Sequence, residues 1–131
     1  MYIALRGSVP LSHRGIEDLT DKDFQKLFLD AVDDAFSSLG DSARQSIYFH
    51  LETKFGMPRN EIPYRLEDFE SGLEKIFGAG TRYLEILIMK KLYETMKPKG
   101  KILKLDEDRE FKFTDYVKAA ERVFSNGKRR N

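Results

Sequence analysis

Two histidines, a few dense acidic spots and one pair of glycines are the residues of this 131-residue chain with types suited to chemistry. A metal centre built from imidazole needs ligands at a spacing that brings them together. His13 and His50 stand alone, with no His-Glu-x-x-His run, no calcium-loop pattern and no Glu-x-x-His pair. His50 follows Phe49 at the edge of an apolar helical stripe, the usual place for a structural histidine. Among the acids, Asp33 and Asp34 are adjacent. Neighbouring helix residues project about 100° apart, so these two do not share a substrate. Asp106, Glu107 and Asp108 fall in a turn, where solvated carboxylates are ordinary. Neither group forms the pair of differently tuned carboxyls that acid–base catalysis requires. Cysteine is absent, which removes thiolate nucleophiles, thiolate metal sites and disulfides. No Gly-x-Ser-x-Gly elbow occurs, and no serine has an evident base. No catalytic, metal-binding or cofactor-binding residue is assigned, and a non-enzymatic protein without a cofactor is expected.

Gly78-Ala79-Gly80, followed by Thr81 and Arg82, is the nearest approach to a ligand motif. A phosphate-binding loop of the Walker type needs two glycines bracketing four residues, then Lys-Ser/Thr, after a strand. A dinucleotide fingerprint needs a third glycine and also a strand. Here a helical pattern precedes the glycines and no lysine stands at the required position. The stretch reads as a corner between two helices, with Gly78 in the left-handed position that ends the first. The amides of residues 81–83 are the only part that an anion would meet.

Charge is nearly balanced, with a formal net of +1, but unevenly distributed. Residues 1–97 carry 13 basic and 16 acidic groups, a net of −3, and residues 98–131 carry 10 and 6, a net of +4. Lys99, Lys101, Lys104 and Lys112 flank an expected hairpin, and Lys128, Arg129 and Arg130 end the chain. Together they define the alternative function, a nucleic-acid-binding regulator of winged-helix type. Against it, a recognition helix exposes polar and basic residues, whereas the helix before the hairpin is the most apolar in the chain. The apolar run Ile86–Met89 falls far short of the ~20 residues of a membrane span. The first residues lack a secretory pattern, so no membrane association and a cytoplasmic location are expected.

Apolar periodicity supplies the elements that would position these groups. An arm is expected over residues 1–20, a single helical domain over 21–126 and a basic tail over 127–131. Phe24, Leu27, Phe28, Ala31, Val32, Ala35, Phe36 and Leu39 recur at three- and four-residue spacing and predict a helix near 21–39. Thr20 is its expected cap, with Asp23 three positions later. Further helices are predicted near 41–55, 67–77, 81–97 and 114–125, the last capped by Thr114 and ended by Gly127. Ile62 and Tyr64 are expected to plug the connector after the second helix onto the core. The fourth helix carries apolar residues in nearly every direction and is expected to be central and buried. A minor β-hairpin is expected near 101–113, with Phe111 and Phe113 on its second strand. The fold class is therefore all-α, a compact five-helix domain.

Four stretches carry a family resemblance: AFSSLGDSARQSIYFHLETKFG, IPYRLEDFESGLEKIFGAG, YLEILIMKKLYE and FTDYVKAA. In this order they resemble the Nitrosopumilus-type output domain, an archaeal family named for its place after receiver domains of response regulators. The resemblance implies a cytoplasmic helical module of signal output, without catalytic residues to carry over. This chain has no receiver domain of its own. The expected function is an interaction or regulatory module acting through protein contacts, with an unidentified protein or a second copy of the chain as partner.

Overall fold

The computed structural model describes residues 19–96 and 112–130, and for 128–130 the backbone alone. Helix α1 spans Lys22–Ser37, α2 Asp41–Phe55, α3 Leu66–Phe77, α4 Thr81–Met96 and α5 Phe113–Arg130. Short 3₁₀ turns at Arg59–Tyr64 and Gly78–Gly80 complete an all-α architecture among the described residues.

Helix α1 forms where its stripe dictates. Phe24, Phe28, Val32 and Phe36 recur every four residues and are fully buried. Burying each such side chain contributes about 1.5–3 kcal/mol before entropy is counted. The cap is Asp21 rather than Thr20: its Oδ1 accepts from the amides of Asp23 (3.0 Å) and Phe24 (3.1 Å). The Thr20 amide is engaged elsewhere, donating to Glu121 Oε2 at 2.8 Å, with the Asp21 amide beside it at 2.7 Å. A carboxylate from α5 thus closes the amino end of α1, where the helix dipole favours negative charge.

Helix α2 buries Ile47 and Leu51, with Ala43, Tyr48 and Phe55 partly covered. Gly56 stops it in the left-handed conformation at φ +62°, its amide donating to the Glu52 carbonyl at 3.1 Å. In the connector, Ile62 is buried as expected, but its partner in the core is Pro63, and Tyr64 is 38% exposed. The Tyr64 hydroxyl instead donates to Gln25 Oε1 (3.2 Å), and Gln25 Nε2 donates to the Leu19 carbonyl (2.9 Å). Helix α3 presents Leu66, Phe69 and Leu73 inward. Where it crosses α2, Gly72 is buried, and an added Cβ would stand 2.9 Å from a Leu51 methyl.

Phe28, Phe69 and Phe113, from α1, α3 and α5, meet pairwise with ring centroids 6.3 Å apart, and Phe36 lies 6.4 Å from Phe69. Tilted and edge-on rings of this kind lock three helices around one point. That point lies on α1, which also packs against α2, α4 and the Arg59–Tyr64 turn. Helix α1 and the fourth helix form the most extensive helix pair among the described residues, and the two share the centre of the domain. Helix α4 buries Leu84, Ile88, Met89 and Leu92 against α1, α3 and α5, yet Tyr83 is 59% exposed and Ile86 and Leu87 are only partly covered.

The last helix departs from expectation at both ends. Phe113, expected on a strand, is the first residue of α5, and Thr114, expected as its cap, lies inside the helix and is buried. The Tyr116 amide donates to the Lys112 carbonyl at 3.0 Å, so the helix begins after Lys112. The rest of the expected hairpin, residues 101–111, lies outside the described residues. At the other end α5 continues through Gly127 to Arg130. An exposed glycine costs about 1 kcal/mol in a helix.

Candidate functional site

The glycine corner joins α3 to α4. Gly78, at φ +57° and ψ −126°, takes a backbone conformation that only glycine enters freely, and its amide donates to the Glu74 carbonyl. Thr81 Oγ1 reaches back to donate to the Leu73 carbonyl at 3.0 Å, which ties the first residue of α4 to the last turns of α3. The chain reverses tightly, as the sequence implies, and α3 and α4 then lie side by side.

That reversal creates a cavity of about 540 Å³, bordered by Glu70 and Glu74 of α3, Thr81, Arg82 and Glu85 of α4, and Lys112. Glu70 and Glu74 share one face of α3 at a spacing of four. Glu85 faces them from α4. Its side chain is buried, 5% exposed, and its Oε2 has no hydrogen-bond partner within the protein. Burial pushes the Glu85 carboxyl up to about 8, helped by a hydrogen bond to Glu70 and by the charges of Glu70 and Glu74, against the opposing pull of Arg82. At neutral pH it is mainly an uncharged acid that can donate to Glu70.

Sequence reasoning dismissed the adjacent acids and missed this cluster, which spans two helices. A signal was present, however. Thr81, Glu85, Ile88 and Leu92 follow one another at spacings of four, three and four, so Glu85 occupies a core position of α4. A glutamate at a core position is buried, and a buried carboxyl is retuned. The anion reading of the corner is disfavoured, since the carboxylates of Glu70 and Glu74 and the buried acid of Glu85 stand at its side. No group of three histidines, cysteines or acids among the described residues is placed to hold a metal ion.

A second polar cluster is structural in geometry. Asp33 takes a two-pronged contact from Arg59, Nε to Oδ1 at 3.1 Å and Nη2 to Oδ2 at 2.6 Å, and Oδ1 also accepts from the Tyr48 hydroxyl. Burial works to raise the Asp33 carboxyl, but Arg59 and Tyr48 together hold it below the ordinary value. Burial and Asp33 in turn push the Tyr48 hydroxyl well up. The neighbouring Asp34 turns away to Lys91 Nζ at 3.0 Å. The two aspartates thus serve different helices, as their angular separation requires. His50 is partly buried beside Phe49, with ring centroids 6.3 Å apart and Nδ1 enclosed without a partner.

Of the basic residues expected to contact nucleic acid, only Lys112 and the backbone of 128–130 fall among the described residues. Lys99, Lys101 and Lys104 lie outside the described residues. Lys112 is exposed at the mouth of the carboxylate cavity. Lys128, Arg129 and Arg130 occupy the far end of α5, whose 18 residues span about 27 Å. Lys112 and the terminal run therefore cannot form one patch. His13 and the acids at 106–108 also lie outside the described residues. Comparison with protein-family models, curated proteins and solved structures finds no match.

Proposed function

We propose that this domain is a non-enzymatic interaction module that works through protein contacts, in keeping with the cytoplasmic signal-output role that its resemblance implies. The observation that carries the reading is the outer edge of α4. Tyr83 is 59% exposed, and Ile86 and Leu87, three and four residues on, are partly covered. Residues at these spacings share one side of a helix, so the most apolar helix in the chain presents a short apolar strip beside its buried face. A contact of this size anchors a partner through one aromatic side chain.

Site-specific photocrosslinking tests it. A photoreactive phenylalanine analogue at position 83, introduced in cells, is expected to give discrete adducts that the same probe at exposed Lys26 does not. An adduct at twice the chain's mass identifies a second copy as the partner. Equal labelling from both positions, or none from either, refutes the reading. Among the described residues no juxtaposition of basic groups carries the nucleic-acid alternative. Salt-sensitive retention on DNA, weakened by replacing Lys101 and Lys104 and deleting residues 128–131, would reinstate it.

A further inference from the structure

We propose that the cavity at the α3–α4 corner binds a small organic cation, a primary ammonium or guanidinium group, held by the carboxylates of Glu70, Glu74 and Glu85. Two independent observations meet there. One is a set of three acids from two helices bordering a cavity of about 540 Å³, a volume within the ~300–1,000 Å³ of small-ligand pockets. The other is Glu85 Oε2, which is enclosed and has no hydrogen-bond partner from the protein. Buried polar oxygens of native proteins are almost always satisfied, and leaving one unmatched is costly. A donor brought by a ligand satisfies it.

The chemistry of that donor follows from charge and spacing. The acids are not grouped tightly enough to hold a metal ion, but ammonium and guanidinium groups carry several N–H donors that reach separated acceptors. With all three carboxyls ionised, Glu70, Glu74 and Glu85 oppose Arg82 and Lys112, leaving one negative charge. One monovalent cationic group balances it. The Thr81 hydroxyl spends its proton on the Leu73 carbonyl, which leaves its oxygen as an acceptor at the cavity border.

Binding is then coupled to a proton. In the free protein Glu85 holds its proton because burial and the facing charges of Glu70 and Glu74 outweigh the attraction of Arg82. An incoming cation reverses that balance and favours the carboxylate. The proton leaves Glu85 for the buffer, close to one per ligand at pH 7. The same cationic chemistry is offered by a free amine and by a Lys or Arg side chain of another protein.

Titration calorimetry on the full chain at pH 7, repeated in phosphate and in MOPS, two buffers of different ionisation enthalpy that carry no primary amine, distinguishes these sources and counts the proton. The probes are butylammonium, ethylguanidinium, and the acetylated amides of lysine and of arginine, with 1-butanol and acetate as controls. Saturable binding of at least one cationic probe is expected, with release of about one proton and none of the controls binding. Preference for the amino-acid amides identifies a protein side chain as the occupant, and preference for the free amine or guanidinium identifies a small molecule. Glu85→Gln, confirmed folded by circular dichroism, is expected to bind at least about tenfold more weakly and to release no proton. Glu74→Gln is expected to weaken binding while keeping the proton release. The proposal is overturned by the absence of saturation up to about 10 mM of every cationic probe. It is equally overturned by an unchanged affinity and proton count in Glu85→Gln, or by binding of acetate in place of the cations.

Discussion

Glu85→Gln tests the electrostatics of the corner most directly, through stability alone. In the folded protein the carboxyl is raised from the ordinary 4.5 to about 8. A group raised in this way binds its proton more tightly when folded than when unfolded. The folded state is thus favoured at low pH, and stability falls as pH climbs from about 4.5 to about 8, beyond which the loss is complete. The full displacement corresponds to about 5 kcal/mol. The cavity is open to solvent, and screening reduces the cost, so about 2–3 kcal/mol is expected. Glutamine keeps the shape and cannot ionise. At pH 5 the variant is expected within about 1 kcal/mol of the parent, since only one neutral hydrogen bond is altered. At pH 9 it is expected to be more stable by about 2–3 kcal/mol, which for a domain of this size raises the melting temperature by about 10 °C. Urea unfolding followed by circular dichroism at the two pH values measures the difference. If the variant gains nothing at pH 9, or gains as much at pH 5, then Glu85 is ionised and accommodated, and the account of the corner fails.

Three further outcomes follow from the packing. Leu84→Ala, at a fully enclosed site on α4, is expected to cost about 2–5 kcal/mol in chemical denaturation, whereas Leu87→Ala, on the partly covered side, should cost about 1–2 kcal/mol; equal losses would mean that both sides of α4 are buried in solution. Arg59→Ala removes the guanidinium that, together with Tyr48, holds the Asp33 carboxyl down. Stability should drop by about 1 kcal/mol at pH 7, with the deficit vanishing in acid, because the contribution of a depressed carboxyl is lost as pH falls through its folded value; a deficit unchanged at pH 2.5 contradicts this. Gly72→Val places branched bulk against the Leu51 methyl and should destabilise by about 1–3 kcal/mol, more than Gly72→Ala, and equal effects of the two would show that α2 and α3 separate easily there.

Much of the architecture was legible because periodicity is a property of single helices. The phenylalanine stripe of α1 and the Gly56 stop are local signals, and both appear where the spacing puts them. The errors concern relations between helices. The apolar residues of α4 point all round, but which side meets α1 depends on the corner at Gly78–Gly80, and no window of α4 contains that information. The cap of α1 was misplaced by one residue because the Thr20 amide is claimed by Glu121, about a hundred positions away. The carboxylate cavity was missed for the same reason, since Glu70 and Glu74 become neighbours of Glu85 only after the chain reverses. Glu85 itself could have been found, as a charged residue at a core position of an apolar helix.

The Glu121 contact also bears on the order in which the domain is made. The first turn of α1 is closed by a carboxylate from α5, and Ser125 of the same helix donates to Asp21 Oδ2 at 2.7 Å. Phe24 on α1 meets Phe124 on α5, with ring centroids 5.7 Å apart. Asp21 caps the first turn of α1 as soon as that turn is made, but the Glu121 carboxylate arrives about a hundred residues later. Docking of α5 on α1 therefore comes late in synthesis, and a nascent chain halted before residue 121 leaves the Thr20 and Asp21 amides to water.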